Sequence, residues 1–194
     1  MPAPFPKLRR MKTPLAFLAT ALFSALPALA QTPAASKSAS VEVVESNGST
    51  ATLDNWASAY GSFDKTKATT RALGITVRNM SATAPGEFEV EWFFFGKPAG
   101  GGKRFLYDKG SKPLALKPSA TEKFAVASKE LVHERYHSAY SGYTSHSGSK
   151  ADGWIVRVKA GGEVIRAKGS DAQMEQLEKD KAALEAMLKA PRKP

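Results

Sequence analysis

Apolar and polar side chains alternate with a period of two over several short stretches between residues 41 and 168. The clearest of these stretches cover residues 72–78, 87–95 and 154–159. Successive side chains of a β-strand point to opposite faces of a sheet, and a helix would not tolerate this period. Seven or eight such stretches, separated by turn residues, predict a mainly β fold, a single antiparallel β-sandwich over residues 41–168.

The stretch over 87–95 becomes apolar on both faces at its end, where Phe93 and Phe95 break the alternation. Both faces of that strand are therefore expected to be covered. Residues 170–190 combine a capping box, Ser170 with Gln173, and an apolar stripe that stops before Pro191. This pattern predicts one C-terminal amphipathic helix. We expect it to dock over Phe93 and Phe95, and pairing with another copy of itself is the alternative.

The first thirty residues have the three zones of a secretory signal peptide. A cationic stretch without acids precedes an apolar run over 15–29, and the small-x-small triplet Ala28-Leu29-Ala30 stands at the end of the segment. This order predicts a cleavable signal over residues 1–30, with Met1 or Met11 as the start. The run is shorter than the ~20 apolar residues of a membrane helix, so we expect no stable span after cleavage. The Ala- and Ser-rich residues 31–40 are predicted to be a flexible leader.

Export defines the compartment and lowers the net charge. The whole chain has 28 Lys and Arg against 18 acids, and loss of the four basic residues of the signal leaves 24 against 18, or +6. This excess is spread along the chain, without a basic stripe interleaved with stacking aromatics. Nucleic acid is therefore not a predicted partner, and we expect a periplasmic or extracellular protein. With no cysteine, the domain must be held together by burial of its core.

The strand spacing, with Trp92 on a central strand, resembles that of immunoglobulin-like and fibronectin III-like sandwiches. The cysteine pair of true immunoglobulin domains is absent. The segments Glu91-Trp92-Phe93-Phe94-Phe95-Gly96-Lys97 and Asp152-Gly153-Trp154-Ile155-Val156-Arg157-Val158 are similar to segments of uncharacterised exported proteins of Gram-negative bacteria. The resemblance concerns architecture and implies neither an activity nor a functional residue.

One segment matches the zinc protease signature His-Glu-x-x-His, at His133, Glu134 and His137. In that signature two histidines one helical turn apart bind zinc, and the glutamate activates water. The match needs a helix, but Ser and Gly crowd the residues that follow. Tyr140 and Tyr143 occupy the Gly and His positions of the extended signature, so a third ligand is missing. We predict a solvated edge segment and no metal or other cofactor, and keep a small zinc-dependent hydrolase as the alternative.

Three tyrosines follow closely, Tyr136, Tyr140 and Tyr143, set among Ser and Gly. This composition is typical of adaptable binding loops, because tyrosine offers a wide contact surface at low entropic cost. Packing of the rings against the edge of the sandwich, with wet hydroxyl groups, is the alternative. Earlier in the chain, Trp56, Tyr60 and Phe63 are predicted to pin an irregular segment onto the core.

Together these features favour a non-enzymatic exported module that binds or assembles in the cell envelope. An envelope protein or a polysaccharide is the expected partner, and the C-terminal helix offers a route to an oligomer. The zinc hydrolase, with Glu134 as the base, is the alternative function. Carbohydrate binding through Trp56 and the tyrosines is a third hypothesis, without a sequence signature of its own.

Overall fold

The computed structural model describes residues 35–46 and 48–189, and the predicted signal peptide lies outside them. The described residues form ten strands and two helices. The elements are β1 (Ala39–Ser46), β2 (Thr50–Ala57), β3 (Phe63–Thr69), β4 (Ala72–Asn79), β5 (Gly86–Pro98), β6 (Phe105–Leu116), β7 (Thr121–Ala127), β8 (Leu131–His137), β9 (Thr144–Ala160), β10 (Glu163–Gly169), α1 (Ala172–Lys179) and α2 (Lys181–Lys189).

The strands form two sheets in which every pairing is antiparallel. One sheet has the order β1-β4-β7, and the other has the order β2-β3-β8-β9-β5-β6, with β10 also paired to β9. The predicted mainly β, sandwich-like fold is therefore confirmed. Sheets pack face to face by burying the apolar side of each pleat.

Two apolar cores lie on opposite faces of β5 and β9. The first core fills the space between the sheets, where Ile75 of β4 packs with Val90 of β5 and Val156 of β9. The second core lies on the outer face, where Phe93, Phe95 and Ile155 are covered by the helices. The end of the 87–95 stretch is apolar on both faces because each face is covered, one by the other sheet and one by the helices, as the sequence predicts.

The predicted C-terminal helix docks on the sheet, but it is two short helices instead of one. Asp171, not Ser170, caps α1, and its Oδ1 accepts hydrogen bonds from the backbone N–H groups of Gln173 at 2.8 Å and Met174 at 3.0 Å. The chain leaves helical geometry at Asp180, whose side chain accepts from the backbone N–H of Ala183 at 3.0 Å. Aspartate is a strong N-cap, so this residue starts a second helix where Lys181 interrupts the apolar stripe.

One boundary differs from the sequence prediction. The segment 31–40 was predicted to be a flexible leader, but Ala39 already belongs to β1 and is 1% exposed, and Ser36 donates a backbone hydrogen bond to Pro85. The prediction is therefore wrong for the last residues of that segment. Residues 108–113, which have the composition of a turn, instead lie within β6, an edge strand. An edge strand accepts Pro113, which would break the ladder of a central strand.

Each strand of the three-stranded sheet bends and continues into the other sheet. β1 leads into β2, β3 leads into β4, and β7 leads into β8, so the order β1-β4-β7 is repeated as β2-β3-β8. At the bend, Arg71 pairs with Glu45, and Glu45 also accepts from Trp154 Nε1 at 3.1 Å. Ser128 and Arg71 exchange hydrogen bonds through the Arg71 backbone, at 2.8 and 2.9 Å. These bonds satisfy backbone groups that the bend removes from the ladder.

Among the described residues, neither helix has the length or the apolar content needed to cross a bilayer.

Candidate functional site

The continued strands form a four-stranded sheet beside the sandwich, which we call the arm. It consists of β2, β3, β8 and residues 144–148 of β9. All eight residues of β2 are exposed, and Ala68 is the one fully buried residue in these four segments as described. Antiparallel sheets normally bury one apolar face, so an arm that is open on both faces is marginal by itself.

The arm displays most of the large exposed aromatic side chains. Trp56 is 53% exposed on β2, and Tyr136 is 38% exposed on β8. The β2–β3 and β8–β9 turns lie side by side at the tip, where Ser62 Oγ accepts from the backbone N–H of Ala139 at 3.0 Å. Tyr60, Tyr140 and Tyr143 project from these turns with 90%, 101% and 60% of their surface exposed. The tyrosines predicted as binding residues are therefore exposed, and the alternative of packing against the edge does not hold for Tyr140.

The predicted anchoring of Trp56 and Tyr60 on the core is wrong. Residues 54–69 lie mostly in β2 and β3, and the two rings point into solvent. Phe63 is half-buried, and it contacts the His137 ring at 5.3 Å between centroids. The two strands could not be recognised from the sequence of this segment. A sheet without a core has no alternation of apolar and polar residues by which its strands could be predicted.

The segment that matches the zinc signature is a strand, not a helix. β8 contains the whole match, so His133 and His137 are separated by four residues of extended chain, roughly 13 Å. Glu134 lies on the opposite face and accepts a hydrogen bond from Ser147 Oγ at 2.5 Å. His137 faces Thr144, and its Nδ1 lies 2.9 Å from Thr144 Oγ1. The runner-up assignment of His133 and His137 as joint zinc ligands with Glu134 as base is therefore wrong, because the strand separates them.

His133 is instead brought close to His146, on the neighbouring strand. His133 Nε2 and His146 Nδ1 are 3.4 Å apart, and the ring planes differ by 13°. Two neutral imidazoles can share one hydrogen bond in this arrangement, with one nitrogen as donor and the other as acceptor. Within residues 35–46 and 48–189, no three side chains of ligand type are grouped to hold a metal ion.

The two faces of the arm have opposite charge. Cross-strand partners share a face, and the register places Lys65 opposite Arg135 and Lys67 opposite His133. Arg135 is in turn opposite His146. We call this side the cationic face. It contains these side chains: Phe63, Lys65, Lys67, His133, Arg135, His137 and His146.

The acidic face is the other side of the same sheet. Trp56 is opposite Asp64, Asp64 is opposite Tyr136, and Glu134 lies one step further along β8. Asp54, opposite Thr66, adds a third carboxylate. Asp64 Oδ1 is shielded from solvent and has no hydrogen-bond partner among the described residues. Each face therefore has one sign of charge, and the larger aromatic rings lie with the acids.

Positive charges on and beside the cationic face act on His133. Its pKa is lowered from the ordinary value of 6.5, first by its partial burial and then by the positive charges of Lys150, His146, Lys67 and Arg135. A cation that is added among cations is disfavoured, so the neutral imidazole is preferred. The same charges oppose binding of a dication at the histidine pair.

We expect the stability of the arm to fall when the pH drops below 6.5. The pKa of His133 in the folded protein lies below its ordinary value of 6.5, so between these two pKa values the unfolded chain binds more protons than the folded chain. The contribution of His133 to stability is therefore complete above pH 6.5 and is lost as the pH falls from 6.5 through the folded pKa. An NMR titration of the His133 ring measures the pKa, and Lys150→Met should raise it. An unchanged pKa in this variant would exclude the charge of Lys150 as a cause.

Comparisons with known proteins give no family for the chain. No family model matches the sequence, and no curated protein matches it. Solved structures give weak matches: a β-glucosidase from Kluyveromyces marxianus is 14% identical with a TM-score of 0.30, over 68% of this chain and 13% of that chain. A β-glucuronidase from Bacteroides uniformis is 13% identical with a TM-score of 0.26, over 56% of this chain and 13% of that chain.

A structure from Akkermansia muciniphila matches over 71% of this chain and 74% of that chain, at 10% identity and a TM-score of 0.27. The chain thus spans about 13% of the length of the β-glucosidase. Similarity at this level gives no information about activity.

Proposed function

We propose that the protein is a non-enzymatic exported module of the cell envelope and that the arm is its binding surface. The observation that carries the proposal is a four-stranded sheet open on both faces, with Tyr60, Tyr140 and Tyr143 exposed together at its tip. Exposed aromatic clusters are costly in water and mark surfaces that a partner covers. Tyr136 belongs to the same surface on β8.

The proposed compartment is the periplasm or the extracellular space, from the signal predicted over residues 1–30. The resemblance to uncharacterised exported proteins of Gram-negative bacteria supports the same compartment. Binding of an envelope polymer or protein by a sheet with tyrosines at its tip agrees with how binding surfaces use this residue. The sandwich and its two helices supply the stable support for the arm.

The second candidate, a zinc hydrolase, is not supported by the geometry of β8. Its histidines lie too far apart along the strand, and its glutamate faces the other way. Protein purified without a tag is expected to contain less than about a tenth of an equivalent of zinc. One equivalent of zinc that is lost together on His133→Ala and His137→Ala would restore the hydrolase hypothesis.

We expect the double variant Tyr140→Ser and Tyr143→Ser to weaken association with insoluble envelope material about tenfold, because buried tyrosines dominate the energy of binding surfaces. Sedimentation of the purified mature chain with washed envelopes measures the bound fraction. The matched control is Val164→Ser, which removes a side chain that is 38% exposed on β10, away from the arm. Equal binding by the double variant and the parent chain would contradict the tip of the arm as the binding surface.

A further inference from the structure

We propose that the cationic face of the arm binds a linear acidic polysaccharide. The inference rests on the proposed function, since it assigns a ligand class to one face of the same arm. Its basis is a sheet surface on which cations from neighbouring strands are aligned and on which the described arm strands place no carboxylate.

The alignment works against the stability of the arm. Like charges that lie directly opposite on neighbouring strands are destabilising, and Lys65 lies directly opposite Arg135. The pairing of like charges continues beyond the arm onto the rest of the protein, which we call the body, where Lys150 of β9 is opposite Lys97 of β5. A surface that accepts such a cost without a structural gain is expected at a functional site.

The body of the protein pairs its charges in the usual way. Lys159 Nζ lies 2.6 Å from Glu91 Oε1, and Lys112 Nζ lies 2.7 Å from Glu122 Oε1. In contrast, among residues 35–46 and 48–189 no carboxylate lies within ion-pair distance of Lys65, Lys67 or Arg135. These three cations are therefore available to an external anion.

The cationic face repeats its hydrogen-bond donors at the spacing of strands. Neighbouring strands lie ~4.8 Å apart, so Lys65, Arg135 and His146 form a row of donors across the arm. Lys67 and His133 form a second row. All three histidines of the chain lie on this face. A polymer with a regularly repeated carboxylate, sulfate or phosphate group matches such an array through charge-assisted hydrogen bonds.

Other occupants fit this face less well. A second copy that presented the same face would oppose cation to cation. Insertion into a membrane needs exposed apolar side chains, and the two large apolar residues on this side are covered. Phe63 is covered by Arg135 at 5.2 Å and His137 at 5.3 Å, and Leu131 packs against the first core. The same coverage removes Phe63 as a stacking platform for nucleic-acid bases. A protein interface would need an apolar centre, which this face lacks.

The experiment measures binding of the full mature chain to polygalacturonate by calorimetry, with neutral dextran as the comparison polymer. The chain should bind polygalacturonate but not dextran. Its affinity for polygalacturonate should fall as the salt concentration is raised, because salt screens exposed charges. The double variant Lys65→Glu and Arg135→Glu should reduce the affinity at least about tenfold. Lys117→Glu with Lys123→Glu, two exposed positions outside the arm, changes the net charge equally and should leave the affinity nearly unchanged.

The single variant Lys65→Glu separates loss of binding from misfolding. It converts a repulsive pair opposite Arg135 into an attractive one, so arm amides should exchange at least as slowly as in the parent chain while binding weakens. An equal loss of affinity in the two double variants would overturn the proposal, since net charge would then explain it. Tighter binding to duplex DNA or to anionic phospholipid vesicles than to polygalacturonate would also overturn it.

Failure of this inference is distinguishable from failure of the proposed function. A chain that ignores polygalacturonate but still sediments with envelopes in a tyrosine-dependent manner overturns the polysaccharide and leaves the arm as the binding surface. A chain that binds polygalacturonate through Lys65 and Arg135 but shows no dependence on Tyr140 and Tyr143 supports the inference and moves the binding surface from the tip to the face.

Discussion

Phe95→Ala is expected to lower the free energy of unfolding by about 3–5 kcal/mol, the usual cost of removing a buried phenylalanine ring. Phe95 is 0% exposed and lies in the second core with Ile155, Met174 and Leu184. The cavity would remove contacts that hold both helices on the sheet. Denaturant unfolding measures the loss, and far-UV circular dichroism should show that the helical signal is lost first.

Leu53→Ala is the matched control for Phe95→Ala. Leu53 is also a large apolar residue in a strand, but it is 57% exposed, on β2. Its truncation should change the free energy of unfolding by less than about 0.5 kcal/mol. A loss under about 1 kcal/mol for Phe95→Ala would mean that the helices do not form a core with the outer face of β5 and β9.

The sequence is informative where burial is strong. The alternation in β4, β5 and the second half of β9 predicts the two-sheet core, and Phe93 with Phe95, on the other face of β5, predicts a cover on the outer face. The docked helices confirm that cover. In each of these elements the apolar side chains alternate so that they face the neighbouring layer. The local sequence pattern therefore agrees with the tertiary contacts.

The arm could not be predicted in this way. β2 buries none of its residues, and β3 and β8 have no regular alternation of apolar and polar side chains. The charge separation between its faces depends on register, which is set by long-range pairing between β3 and β8. The tyrosines were visible from composition, but the row of Lys65, Arg135 and His146 joins β3 to the β8–β9 hairpin, which is distant from it in sequence.

The same absence of a core makes the arm sensitive to a single backbone position. Gly148 pairs with His133 across β8 and β9 and has a φ of +74°. A Cβ at this position would lie 2.2 Å from the Val132 carbonyl oxygen. Gly148→Ala therefore combines a left-handed conformation with a collision against the backbone of the paired strand, and one of the strands has to move.

We expect Gly148→Ala to cost the arm about 2–5 kcal/mol, the sum of the left-handed penalty and of local backbone strain. Hydrogen exchange should show the amides of β8 and of residues 144–148 losing protection, while the amides of β4 and β5 keep theirs. Binding to envelopes and to polygalacturonate should fall together. The first core has no residue from β2 or β3, and β8 contributes to it the partly buried Leu131 alone, so the sandwich should stay folded.

Gly142→Ala provides the control, because it shares the positive φ without the collision. Gly142 has a φ of +66° in the β8–β9 turn, and a Cβ added there would meet no atom within 4 Å beyond its chain neighbours. Its substitution should cost about 1–2 kcal/mol and leave the register of β8 and β9 intact. If both alanine variants lost protection and binding equally, backbone strain alone would explain the effect. The close approach of Gly148 to Val132 would then have no part in fixing the register that aligns the cations.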